Sequence, residues 1–163
     1  MNTEERLAET KKAAVRVCRT YAALLALDWQ RLEELREAEY PTQSESDERQ
    51  ELEELLGDCG VSTEDEAYGY LLDVPLEITC TATRVSLSDW PLRYPQTVEI
   101  LLATGGPAYR LVVDLHGGRG GVEVAAVQVQ DWFTPWEDAT SDPDIIAELL
   151  PLAEFWTDSL FSE

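Results

Sequence analysis

The sequence predicts an α+β fold: N-terminal helices, a roughly four-stranded antiparallel meander, and a C-terminal helix. Three observations carry this. From Leu7 onward apolar residues recur at three- and four-residue steps. Near Val74 the period changes to two. The connections between the period-two segments are too short for parallel crossovers, which need a dozen or more residues. With 163 residues, 44% of them apolar, and five tryptophans, one domain can hide roughly two-thirds of its unfolded surface. The expected parts of that single domain (1–163) are helices over 1–73, the sheet over 74–130, and an aromatic turn with the closing helix over 131–163.

The first helix is expected to start with Thr3 as its cap and to turn Leu7, Ala14, Val17, Cys18, Tyr21, Leu24, Leu25, Leu32 and Leu35 inward. Its exposed face is basic early (Lys11, Lys12, Arg16, Arg19) and acidic late (Glu33, Glu34, Glu37, Glu39). Asp28-Trp29 interrupts the stripe, so a bend or restart falls there, and Pro41-Thr42-Gln43-Ser44 reads as a loop. A second helix should run from about Asp47 to Leu56, with Ser46 or Asp47 capping and Gly57 ending it. A third begins at Ser62-Thr63, where Thr63 and Glu66 have capping-box spacing, and ends before Pro75.

Leu76, Ile78, Cys80 and Ala82 alternate with Glu77, Thr79, Thr81 and Thr83, the pattern of a half-buried strand. Residues 98–103 and 109–116 flank Thr104-Gly105-Gly106-Pro107, a hairpin turn. A glycine-rich run over 117–121 leads to the strand at 122–130. The aromatic turn Asp131-Trp132-Phe133-Thr134-Pro135-Trp136 follows. Asp142-Pro143 then starts the last helix, with Asp as cap and Pro in its favoured first position, and Pro151 must kink or restart it.

Charge is the most informative feature. The net of −21 sits in two blocks: residues 33–77 carry −14 and residues 123–163 carry −10, the latter without one base. Charge in blocks projects a directed field that selects positive partners. Asp47, Glu51, Glu54 and Asp58, spaced four, three and four residues apart, fall in one narrow band of a helix. Like charges at these steps cost roughly 0.2–0.5 kcal/mol per pair, so an arrangement that keeps them points to a use. The expected partner-binding surface joins this stripe and the flanking Glu48 to Glu33, Glu34, Glu37 and to Glu64, Asp65 and Glu66. The expected partner is a basic protein surface of the kind that binds nucleic acid. Direct nucleic-acid or membrane binding is not expected of so acidic a chain, and a cytoplasmic location is.

Other chemistry is poorly represented. Cys18, Cys59 and Cys80 are odd in number and far apart, and His116 is the sole histidine, so neither a disulfide framework nor a four-ligand zinc site is written here. No cofactor or metal is expected. His116 has no nucleophile spaced to meet it, and the run at 117–121 lacks the Lys-Ser/Thr and following helix of a phosphate loop. Trp132 and Trp136, with Phe133 and with Trp90 in another proline-bounded loop, form a secondary candidate surface for gripping a partner. The plainer alternative is that they close the end of the sheet as core.

Two segments, Thr104-Gly105-Gly106-Pro107-Ala108-Tyr109-Arg110 and Gln130-Asp131-Trp132-Phe133-Thr134-Pro135-Trp136, resemble a family of small acidic proteins carried on mobile genetic elements. The resemblance spans roughly residues 63–161 and departs at Phe155-Trp156-Thr157, where the family ends richer in tyrosine and glycine. That family has no assigned activity, so the resemblance implies no catalytic residue. It implies a setting of conflict between mobile elements and their hosts. The first reading is thus a non-enzymatic inhibitor mimicking nucleic-acid charge, of anti-CRISPR or anti-restriction type. The second is an immunity or adaptor module that binds through its aromatics. The third is an enzyme acting on a cationic substrate.

Overall fold

The computed structural model describes residues 2–81, 97–116, 121–132 and 134–161. Ala82 and Thr83 of the expected first strand, the Trp90 loop, Gly117 to Gly120 of the glycine run and Phe133 lie outside the described residues. The α+β order is as the sequence predicts: four helices, an antiparallel sheet, then two helices.

Helix α1 is Thr3–Leu25, and its cap is Asn2, one residue before the expected Thr3. The spacing from Asn2 to Glu5 is what decides this. Asn2 Oδ1 accepts the Glu5 N–H at 2.8 Å, and Glu5 Oε2 accepts the Asn2 N–H at 2.9 Å, a reciprocal box that Thr3 and Arg6 have no carboxylate to form. The chain restarts as α2, Trp29–Glu37, with Asp28 as its cap. Helix α3 is Gln43–Cys59, longer at both ends than the sequence suggested. Thr42 and Glu45 form a second capping box, which turns the expected loop into the helix's first turn. At the other end Gly60, not Gly57, takes the left-handed cap at φ 69°. Helix α4, Glu64–Asp73, is capped by Thr63 as expected, while the Glu66 carboxylate accepts from the Ser62 N–H at 2.7 Å.

The sheet has five strands where about four were expected, in the order β1 (Glu77–Thr81), β2 (Thr97–Ala103), β3 (Ala108–His116), β4 (Gly121–Gln130) and β5 (Glu137–Asp138), all antiparallel. β5 is two residues long, too short for alternation to reveal. β1 is the other departure. Only Ile78 of its expected apolar face is half-buried; Cys80 is exposed and Leu76, just before the strand, is 57% exposed. The reason is position: β1 is an edge strand, and the helices pack on β4 at the opposite side of the sheet.

The expected closing helix is two helices, α5 (Pro143–Glu148) and α6 (Leu150–Phe161). Pro151 falls in the first turn of α6, where a missing N–H costs nothing. The core sits between the helices and one sheet face. Val98, Ile100, Leu111, Val113, Val127 and Val129 meet Ala14, Cys18 and Leu24 of α1 and Leu152, Ala153 and Trp156 of α6. Trp156 also pins α6 to α4 by donating its indole N–H to the Leu71 carbonyl at 2.8 Å. Among the described residues no helix is long and apolar enough to cross a membrane.

Candidate functional site

On α3 the stripe forms as one row. Asp47, Glu51, Glu54 and Asp58 are all exposed, and none has a cationic partner among the described residues. Two of them are held by neutral amides one turn back: Gln43 donates to Asp47 at 2.8 Å, and Gln50 donates to Glu54 at 2.9 Å. An amide fixes the carboxylate's position without cancelling its charge. From the helical rise, the row presents a negative charge about every 5 Å.

The flanking acids behave differently. Arg31 donates to both oxygens of Glu48 at 3.1 and 2.9 Å and lies 3.7 Å from Glu34. Arg36 donates to Glu53 at 2.7 and 3.2 Å and to Glu33 at 2.8 Å. Arg49 adds a 4.0 Å contact to Glu53. These hydrogen bonds hold the Glu48 and Glu53 carboxyls below the usual glutamate range. The arginines thus zip α2 to α3 and offset part of the charge of Glu33, Glu34 and Glu48 of the expected surface. Glu37, Glu64 and Asp65 stay exposed and without a cationic partner among the described residues. Glu66 is exposed but serves the start of α4.

The aromatic segment and the glycine hairpin meet. Gly105 and Gly106 have φ of 97° and 78°, which only glycine adopts readily. The space a Gly106 side chain would need is filled by the Trp132 indole. Trp132 itself is 58% exposed. Trp136 is half-buried, and the Arg110 guanidinium lies 4.1 Å from its ring centroid. Arg110 also bonds Glu99 at 2.8 Å and Gln128 at 3.0 and 2.8 Å. Beside them the buried Asp131 carboxylate takes two bonds from Arg6, at 3.2 and 2.9 Å, and the Trp132 N–H at 2.9 Å. The glycine hairpin and the segment from Gln130 to Trp136 are therefore one constellation. Trp132 and Trp136 are neither core nor a broad open patch.

Two exposed aromatics escaped the sequence reading. Tyr40 is 92% exposed in the turn between α2 and α3, and Tyr68 is 56% exposed on α4. The signal for both was periodicity: Tyr40 lies outside either helical stripe, and Tyr68 is one residue off the buried pair Ala67 and Leu71. Cys18 is buried, and desolvation pushes its thiol up to about 12. A cleft of about 980 Å³ runs along α1, lined also by Leu55 of α3 and Glu148 of α5, with Lys11, Lys12, Arg16 and Arg19 among its residues. Among the described residues no cluster of ligand side chains could hold a metal ion.

Comparison with models of protein families, with curated proteins and with solved structures finds no match to this chain.

Proposed function

We propose that this protein is a non-enzymatic inhibitor that presents nucleic-acid-like charge to a basic, nucleic-acid-binding host-defence protein, of the anti-CRISPR or anti-restriction type. The α3 row is the observation that supports it: four exposed carboxylates in line, none paired with a cation among the described residues. Duplex DNA shows one phosphate per ~1.7 Å of axis counting both strands. A groove built for that density, lined by long Lys and Arg side chains, can also engage a row of carboxylates every 5 Å or so. Directed charge of this kind speeds encounter and selects the partner. Glu37, Glu64 and Asp65 extend the surface, and Tyr40 offers an aromatic contact beside it.

The enzyme reading is disfavoured by electrostatics. The large cleft that a substrate would enter carries four cations and one carboxylate on its lining, a balance that does not favour the cationic substrate an acidic enzyme would be built for. The adaptor reading has one supporting observation, the exposed Trp132, while Trp136 is engaged by the chain's own Arg110. Affinity capture from host lysate separates the two. The wild type should retain a basic nucleic-acid-binding protein at low salt and release it at high salt. D47K/E51K/E54K should fail to retain it, and W132A should retain it. A variant with the stripe reversed that captures the same protein overturns the proposal, and loss on W132A alone favours the adaptor.

A further inference from the structure

The α1 cleft gathers four cations, Lys11, Lys12, Arg16 and Arg19, with one carboxylate, Glu148, in a chain whose net charge is −21. Its floor is apolar, with Val15 of α1 and Leu55 of α3 among the lining, and it extends from Ala8 to Ala26, about 27 Å at 1.5 Å per residue. Some of its charge is already spent within the chain. Lys11 lies 3.0 Å from Glu137, Lys12 3.2 Å from Glu9, and Arg19 2.9 Å from Glu148. Arg16 is exposed and has no side-chain partner among the described residues. A cationic groove of this length fits an anionic helix.

We infer that the groove receives the α3 carboxylate row of a second copy of this chain. Three features select this occupant. Lys12, Arg16 and Arg19 are spaced four and three residues apart, and so are Asp47, Glu51 and Glu54. Read in the opposite direction, Asp58, Glu54 and Glu51 repeat the spacing, so cation meets carboxylate whichever way the helices run. α3 is 17 residues long, about 26 Å, matching the groove. Finally, ridge and groove are neighbours: Leu55 lines the groove from the same helix, next in sequence to Glu54 of the row. A patch carrying a negative ridge beside a positive groove is complementary to itself, and a two-fold axis satisfies both halves at once and closes the assembly as a dimer.

Net repulsion between two such chains opposes this at long range. At physiological salt it is screened beyond about 8 Å, while opposed charges in contact keep their attraction. The dimer should accordingly be strongest at intermediate ionic strength, weakened at very low salt by repulsion and at very high salt by screening of the pairs. This inference does not rest on the proposed function, although a dimer and a basic partner would compete for the same α3 row.

Sedimentation equilibrium across protein concentration and salt tests it. Wild type should dimerise with that salt optimum. R16E, at an exposed and unpaired position, should fold normally by circular dichroism and raise the dissociation constant by about tenfold or more. Of R16E/E51R and R16E/E54R, the one that reverses the carboxylate facing position 16, which depends on the direction in which the helices run, should restore much of the affinity. A wild type that stays monomeric up to about 1 mM, where any contact is too weak to matter, overturns the inference. So does a dimer that R16E leaves unchanged.

Discussion

Gly106 and Trp132 show what a single residue contributes here. Gly106 holds a backbone conformation that costs other residues roughly 1–2 kcal/mol, and its missing side chain makes room for the Trp132 indole. Gly106→Ala should therefore lower stability by more than the backbone cost alone. In a W132A background only that ~1–2 kcal/mol should remain, a non-additivity that thermal melts of the four proteins of the cycle read directly. Equal losses in both backgrounds would mean the contact is slack. Glu53 gives a second test. Arg36 lowers its pKa from the ordinary 4.5, with Arg49 adding a little. A lowered folded value means the stabilisation is present above the unfolded value and lost as pH falls through the folded one. Glu53 is partly exposed, so its contribution is small, about 0.2–1 kcal/mol. Melting temperatures should show wild type above E53Q near neutral pH and the gap closing well below pH 4.5. A gap that is constant with pH would show that the pair is not what stabilises.

Elements were legible where a repeating pattern had room to declare itself. The helical stripe from Leu7 to Leu35, the break at Asp28, and the strands on either side of the glycine hairpin all follow from period and turn chemistry. The misses share a cause, which is that local signals compete. Thr42 sits beside Pro41 in a polar run that reads as loop, yet its box with Glu45 starts α3 there. Alternation marked residues 76–80 as half-buried, but a strand's place at the sheet edge is a tertiary fact. Of the candidate site, the α3 row was readable because it is a single helix face. The pairing of Glu48 and Glu53 was not, because Arg31 and Arg36 reach them across the α2–α3 seam, whereas the i,i+3 contacts of Glu34 with Arg31 and of Glu33 with Arg36 lie within α2, at a spacing the sequence does show. The row carries a prediction of its own. Glu51→Lys replaces two like-charge steps with attractive ones, each worth ~0.2–0.5 kcal/mol, so denaturant melts should show a more stable protein. The same substitution should weaken capture of a basic partner. A variant that gains stability and loses nothing in binding would reduce the row to a solvated face.

At the scale of the molecule, 33 acids face 12 bases, and the exposed ion pairs of the surface each contribute little. Repulsion among the surplus carboxylates should dominate the response to salt. Added sodium chloride should therefore raise the melting temperature, and a flat or falling curve would mean the charges are too dispersed or too well paired to act together. The arrangement that costs stability is the one proposed to give function. α2, capped and zipped by arginines, holds α3 against the core, and α3 in turn offers its unpaired row outward.

If the α3 row stands in for nucleic-acid phosphates, it must compete with DNA for the same groove. A basic nucleic-acid-binding protein captured by the wild type would be titrated in a mobility-shift assay with labelled duplex DNA. Wild type should displace the DNA in proportion to its occupancy, and D47K/E51K/E54K, equally folded, should not. Displacement by that variant as strong as by wild type, or ternary complexes in which DNA and wild type are bound together, would contradict it.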